Sequence, residues 1–223
     1  MPSYQPGSDT RNRLMVAAAE VFAEQGFRHA RISDICERAQ ANIAGVNYHF
    51  GDKENLYLAV VQKLDEESKA DAPYMKIDPD ASAEEKLHTF VREFLGVLLR
   101  TGPSTWLGKL MAREMMEPTA ALDYMIEHVI PPVDGVARGI VGEVLSLPAE
   151  SPIVQLCVSS VLSQCMIYFD TKEIVLRTRP ELINPDRSYD PATIAFLAEH
   201  VTQFSLHGMQ SMGSAHTPES EKQ

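Results

Sequence analysis

Apolar residues recur at spacings of three and four along most of the chain. No extended period-2 run and no Asn-Gly turn between alternating segments occurs. The pattern predicts an all-α protein of about nine helices. The first helix is expected over Thr10–Gln25, with Leu14, Ala18, Val21 and Phe22 as its buried stripe. Gly26 follows where a left-handed C′ residue belongs. A short helix over Ile32–Ala39 turns Ile32, Ile35 and Cys36 inward, and the turn Ala39-Gln40-Ala41 leads to a second short helix over Asn42–Phe50. Asn42 is the expected N-cap of that helix. Gly51-Asp52 breaks the chain, and Asp52 can cap a longer helix over Lys53–Lys69 carrying Leu56, Tyr57, Val60, Val61 and Leu64.

The run DAPYMKIDPD at 71–80 has two prolines and no periodicity, which reads as a linker. Ser82 with Glu85 forms a capping box. It opens a helix whose apolar stripe is Leu87, Phe90, Val91, Phe94, Leu95, Leu98 and Leu99. A segment over Thr105–Glu117 follows. The next helix starts at Pro118-Thr119, kinks at Pro131-Pro132 and runs to about Leu147. The longest helix is expected over Ile153–Arg177 and the last over Pro191–Met209. The expected organisation is a three-helix N-terminal domain at 10–58, a connecting helix and linker at 59–80, a helical bundle at 81–210 and a polar, disordered tail at 211–223.

Charge narrows the function. The chain carries a net charge of −11, which argues against a general nucleic-acid binder. Residues 1–60 carry only −1 of this and the remainder −10, and no acidic residue stands between Arg38 and Asp52. A phosphate-facing surface would therefore lie near that stretch. The three cysteines have no CxxC spacing, so a disulfide framework or zinc site is not expected and a reducing cytosol fits. The polar N-terminus lacks a secretory pattern. No transmembrane span is expected, because the most apolar helix contains Gln155, Ser159, Ser160, Ser163 and Gln164. No metal site or cofactor is expected either, and no histidines pair at HxxxH or HExxH spacing.

Two short helices joined by a tight turn behind a first helix form the helix-turn-helix layout. On a helical wheel Ile43, Ala44, Asn47 and Tyr48 fall on one arc, and Gly45, Val46 and His49 on the other. The first arc has no charge and suits the major groove. Ile43 and Ala44 can touch thymine methyls, Asn47 can reach a base edge and Tyr48 a phosphate. Lys53, at the start of the next helix, could hold the DNA backbone.

The stretch AQANIAGVNYHFGDKENL at 39–56 resembles the signature of TetR-family repressors. So does the upstream pattern from Ala17-Ala18 through Val21-Phe22 and Gly26-Phe27 to Ile32 and Ile35. The variant ANIAGVNYHFGDKE, with WLGKLMAREMMEPT further on, is similar to the drug-responsive CecR-like branch. The resemblance implies that Asn42, Ile43, Ala44 and Asn47 face bases and that Tyr48, His49 and Lys53 contact phosphates. Arg31 stands where the family often has a phosphate-binding Thr, and Ser33 joins the DNA-binding set. Gln40 replaces a frequent Gly in the turn, and Asn47 a frequent Tyr.

The resemblance also implies a C-terminal half that builds a homodimer and a small-molecule cavity. Trp106, Met111, Met115, Met116, Tyr124 and Met125 offer adaptable apolar walls. The candidate effector contacts are Phe94, Leu98, Trp106, Leu110, Met111, Arg113, Glu114, Tyr124, His128, Gln164 and Tyr168. Arg113 and Glu114 point about 100° apart on a helix, so one can face inward and then needs a partner or a ligand. The last two helices, with small serines and apolar rows, suit a four-helix interface with a twin chain. These features describe a repressor that binds a palindromic operator of double-stranded DNA and is released by a largely apolar effector. Two alternatives stay open: an all-α enzyme, for which no nucleophile–base set is visible, and a DNA-binding protein without an effector.

Overall fold

The structure is a computed structural model that describes residues 6–70, 76–100 and 105–215. Among these residues every regular element is helical. In chain order the α-helices are α1 (Pro6–His29), α2 (Ile32–Ala39), α3 (Ile43–Phe50), α4 (Lys53–Ala70), α5 (Ala83–Leu98) and α6 (Trp106–Met116). Then come α7 (Ala120–Tyr124), α8 (Ile130–Leu145), α9 (Pro152–Asp170), α10 (Lys172–Thr178) and α11 (Pro191–Ala215). A π-helical turn, Met125–Val129, lies between α7 and α8. The chain packs as two compact units. The first holds α1–α4, α6, α7 and the π turn, and the second holds α5 and α8–α11.

In the first unit the predicted stripe of α1 is fully buried, with Leu14, Ala18, Val21 and Phe22 at 0% exposure. Phe22 meets Tyr57 of α4 edge to face at 4.8 Å, and Phe27 closes this aromatic cluster. Each such large side chain contributes roughly 1.5–3 kcal/mol on burial. α2 has the expected bounds, and Ile35, Cys36 and Ala39 point into the same core. Gly26 interrupts α1 with φ 77° and ψ 167°. The sign of φ is as expected, but ψ places the residue in a region that essentially only glycine occupies, not the αL well. Its missing side chain also admits Arg113, whose guanidinium would lie 2.9 Å from an added Cβ.

Gln40 takes the αL conformation (φ 49°, ψ 48°) that a glycine would adopt without strain. The strain costs about 1–2 kcal/mol. It is offset by backbone hydrogen bonds from the Gln40 and Ala41 amides to Glu37 and Cys36, and by Arg13, which donates to the carbonyls of Ala39 and Gln40.

The second unit closes around Leu87, Phe90, Val91 and Leu95 of α5, Ile140 and Val141 of α8, Val154, Val158 and Val161 of α9, and Leu197 and Val201 of α11. The capping box is present: Ser82 N–H donates to Glu85 Oε2 at 2.9 Å, and Glu85 N–H to Ser82 Oγ at 3.3 Å.

Several expectations on the C-terminal helices are corrected. The helix predicted over 153–177 ends at Asp170, because the Thr171 backbone leaves helical geometry (φ −101°, ψ 17°); its hydroxyl donates to the Ile167 carbonyl at 2.6 Å. α10 is therefore separate, and the longest helix is α11, with 25 residues. Asp190 caps α11 through the Thr193 amide at 2.9 Å. The helix runs on to Ala215, so 211–215 belong to it and not to a disordered tail; residues 216–223 lie outside the described residues. The kink predicted at Pro131-Pro132 takes the form of the π turn immediately before them, which absorbs the backbone that a proline ring displaces. The helix count exceeds nine for these reasons.

α9 is long and apolar enough to cross a membrane by length and composition alone. One face of it forms the core of the second unit, through Val154, Cys157, Val158, Val161 and Cys165.

Candidate nucleic-acid interface

α3 is fixed at three points. The Asn42 side chain caps its N-terminus, accepting from Gly45 N–H at 2.8 Å. Val46, 1% exposed, anchors its inner side in the core. The turn before it is held by Arg13. The opposite arc is free: Ala44 and Asn47 are exposed, Ile43 is 55% exposed and Tyr48 84%. An isoleucine and a tyrosine presented this openly on a capped, seated helix form an apolar surface that no other element covers among the described residues. The arc has no charged side chain, and α3 carries no acidic residue in its first turn.

The C-terminal end of α3 forms a row of rings. Tyr48 meets His49 edge to face at 4.9 Å, and His49 meets Phe50 at 6.2 Å. The guanidinium of Arg11 lies over the Phe50 ring, 5.2 Å from its centroid. Arg11 was not among the residues expected to bind DNA. It is 39 positions from Phe50, so no local pattern marks the contact.

The remaining predicted residues are placed as follows. Arg31 is exposed at the N-cap of α2 and makes no side-chain cap bond. Ser33 is exposed, with its hydroxyl donating to Asp34 at 3.0 Å. The Asn42 carbonyl oxygen is used by its cap, which leaves the amide N–H groups for other contacts. His49 is half-buried beside Tyr48. Lys53 is half-buried at the start of α4; its ammonium donates to the Arg28 carbonyl at 3.3 Å and sits 4.7 Å from the Phe27 ring centroid. That burial lowers its pKa below the usual lysine value. Asp52 caps α4 as expected, accepting from Asn55 N–H at 2.8 Å.

The candidate effector residues separate into two groups. Trp106, Leu110, Met111, Arg113, Glu114, Tyr124 and His128 belong to the first unit, whereas Phe94, Leu98, Gln164 and Tyr168 belong to the second. Glu114 is the inward member of its pair, 1% exposed. It accepts from Tyr57 Oη at 2.8 Å, from Thr119 N–H at 2.7 Å and from Thr119 Oγ1 at 3.0 Å. Burial first, and the Glu114 hydrogen bond second, push the Tyr57 phenol far above its usual range, so it remains a donor. Arg113 donates to the Glu24 carbonyl at 2.7 Å, at the end of the first helical run of α1. Tyr124 donates to buried Asp65 at 2.9 Å and stacks on His128 at 4.4 Å; its phenol is pushed up to about 12, mainly by burial. In the second unit Gln164 donates to Ser205 at 3.1 Å, and Phe94, Leu98 and Tyr168 pack against the core.

Comparison with known proteins adds the decisive observation. Residues 83–209 match the family described as the C-terminal domain of the HTH-type transcriptional dual regulator CecR, and residues 14–60 match the tetR family of bacterial regulatory proteins. The chain belongs to the TetR family, with a CecR-type C-terminal domain. It is a DNA-binding transcription regulator and not an enzyme. Among its relatives is the dual regulator CecR of Shigella flexneri, 28% identical over 196 residues that cover 80% of this chain and 87% of the relative. The repressor NicS of Pseudomonas putida is 35% identical over 60 residues, 27% of this chain and 28% of the relative. Solved structures of regulators are similar in fold over most of their length. A regulator from Streptomyces coelicolor superposes with a TM-score of 0.66 at 15% identity, covering 91% of this chain and 96% of that one. The fatty acid degradation regulator FadR of Bacillus halodurans superposes with a TM-score of 0.60 at 18% identity, covering 92% and 96%. The TetR-family match at 14–60 includes all of α2 and of α3, which carries the exposed arc.

Proposed function

We propose that this TetR-family regulator is a dimeric repressor that binds a palindromic operator through α3 and is released by a small, largely apolar effector. The observation that carries the reading is the uncharged, exposed arc of α3 on a helix held by a cap, a core anchor and a pinned turn. In this reading Ile43 and Ala44 touch thymine methyls, and Asn47 and the Asn42 amide reach base edges. Tyr48, His49, Arg31, Ser33 and Lys53 hold the sugar–phosphate backbone. The protein acts in the cytoplasm, where its operator lies.

The twin chain docks on α9 and α11. Both helices leave large apolar side chains uncovered in the single chain: Leu156 at 65% and Ile167 at 49% on α9, Phe196 and Phe204 at 67% on α11. Only 28% of the apolar window of α9 is buried within the chain. A second copy covering these rows supports the dimer better than a membrane does, because exposed serines interrupt the α9 surface. Replacing Phe196 and Phe204 together by glutamate is expected to give a folded monomer in analytical ultracentrifugation, with most operator affinity lost. A dimer that survives both changes would place the interface elsewhere.

Arg113 and Glu114 hold protein groups, so we assign them to holding the first unit together and not to ligand contact. Phe94, Leu98, Gln164 and Tyr168 are the effector candidates of the second unit. The test of the whole reading is selection of genomic fragments by the purified protein at two salt concentrations, followed by release assays with apolar drugs. Enrichment of one palindrome with half-sites about one DNA turn apart is expected. Binding indifferent to sequence would overturn the repressor reading. Equal affinity with and without every ligand would favour an effector-free DNA-binding protein.

A further inference from the structure

An acidic protein that binds DNA needs cations aimed at phosphates. Exposed Arg31 and half-buried Lys53 are already assigned to the backbone, and most other basic side chains of the first unit have partners among the described residues. Arg13 is engaged by Thr10, by the Ala39 and Gln40 carbonyls and by Asp9. Arg28 is paired with Glu117. Arg38 lies between Glu20 and Glu24. Lys53 donates to a backbone carbonyl and covers an aromatic ring. Arg113 donates to the Ala23 and Glu24 carbonyls.

Arg11 differs from these partnered side chains. It is exposed, no carboxylate or carbonyl among the described residues engages it, and it lies over the Phe50 ring at the end of α3, 5.2 Å from the centroid. A cation–π contact with a ring spends none of the guanidinium N–H donors on a carboxylate or carbonyl, so they remain available to an anion. The ring also limits the rotamers of a side chain that would otherwise sweep through solvent. Phe50 in turn continues the row Tyr48–His49–Phe50.

We propose that Arg11, held over Phe50, is a phosphate clamp of the DNA-reading surface, binding a backbone phosphodiester beside the C-terminal end of α3. The inference rests on the reading of α3 as the recognition helix, and it adds a contact supplied by α1. A clamp of this kind contributes affinity without sequence preference. Its charge reaches both half-sites of a dimer, once each.

The experiment compares full-length wild type with Arg11→Gln and Arg11→Lys. The probes are the selected palindrome and a mixed-sequence duplex of equal length, each titrated over a range of salt. Arg11→Gln is expected to lower affinity for both duplexes by the same factor, about tenfold at low salt, and to reduce the salt slope by about 1.8 for the dimer. Arg11→Lys is expected to keep most of the slope, since the charge remains. Phe50→Leu, which keeps apolar packing but removes the ring, is expected to lie between wild type and Arg11→Gln. An unchanged slope in Arg11→Gln, with wild type binding normally, overturns the clamp alone. A lower affinity confined to the palindrome, with the slope retained, also overturns it and makes Arg11 a structural support of α3. Failure of wild type to bind either duplex overturns the recognition-helix reading and the clamp together.

Discussion

Replacing Glu114 by alanine is expected to destabilise the protein by about 3–4 kcal/mol. The side chain is 1% exposed and accepts three hydrogen bonds: from Tyr57 on α4, and from the amide and hydroxyl of Thr119 at the start of α7. Truncation leaves a buried phenol and a half-buried N–H without this acceptor and opens a cavity between α4, α6 and α7. An unmet buried donor costs about 1–3 kcal/mol, more than the bond contributed when formed. Glutamine separates polarity from volume. Its oxygen can still accept from Tyr57, but its NH2 then faces the Thr119 N–H, donor against donor, so a smaller loss of about 1–2 kcal/mol is expected. Equilibrium urea unfolding monitored by circular dichroism reads both. A loss under about 1 kcal/mol for alanine would mean that the carboxylate is not buried among these donors.

The neighbouring Arg113 shows why the pair spans the unit. About 100° around α6 from Glu114, it reaches the carbonyls that end the first helical run of α1, and it does so because Gly26 has no side chain in its path. Two adjacent residues of α6 therefore hold α1 and α4, the helices on either side of the helix-turn-helix. The charge pair was visible in the sequence as a question, since one of two adjacent charges had to face inward. Its answer depended on partners 57 and 89 positions away, which no local pattern encodes.

The same contrast runs through the molecule. The bounds of α2, the Asn42 cap, the Asp52 cap, the Ser82–Glu85 box and the buried stripe of α1 follow from periodicity and capping chemistry, which act within a few residues. The uncharged arc of α3 was visible for the same reason, because a single buried Val46 fixes the register of a short helix. What could not be read was set by tertiary contact or by a fine backbone choice. The run whose apolar pattern continues stops at Thr171, whose backbone leaves helical geometry (φ −101°, ψ 17°). Gln40 accepts αL strain at a position where composition alone would ask for glycine. α6 carries the Met-rich stripe expected of an effector cavity, yet Leu110 packs in the core shared with α1 and α4. The partner of Arg11 is a ring at the far end of another helix.

Ile43→Asp is expected to abolish specific DNA binding while leaving the fold intact or slightly firmer. Ile43 is the first residue of α3, is 55% exposed and contributes little to the core, so removing its side chain forfeits little burial. The first turn of α3 has no acidic residue, and an aspartate there meets the positive end of the helix dipole. That interaction is worth about 0.3–1 kcal/mol in favour of folding. Against a duplex the sign reverses. A carboxylate replaces a methyl-bearing surface at the position proposed to enter the major groove, and it is carried in beside two rows of phosphates. Like-charge juxtaposition of this kind costs several kcal/mol, so a loss of at least about 100-fold in operator affinity is expected. Ile43→Ala, which removes only the thymine-methyl contact, is expected to cost about 1–2 kcal/mol and to relax preference at a single base pair. Urea unfolding and electrophoretic mobility shifts on the same preparations separate the two terms. If Ile43→Asp binds as wild type does, with equal stability, the arc of α3 does not enter the groove. If it loses binding only because it unfolds, the residue supports the core more than its exposure implies. Unfolding and binding that move in opposite directions are the signature expected of a side chain whose role is outside the fold it sits on.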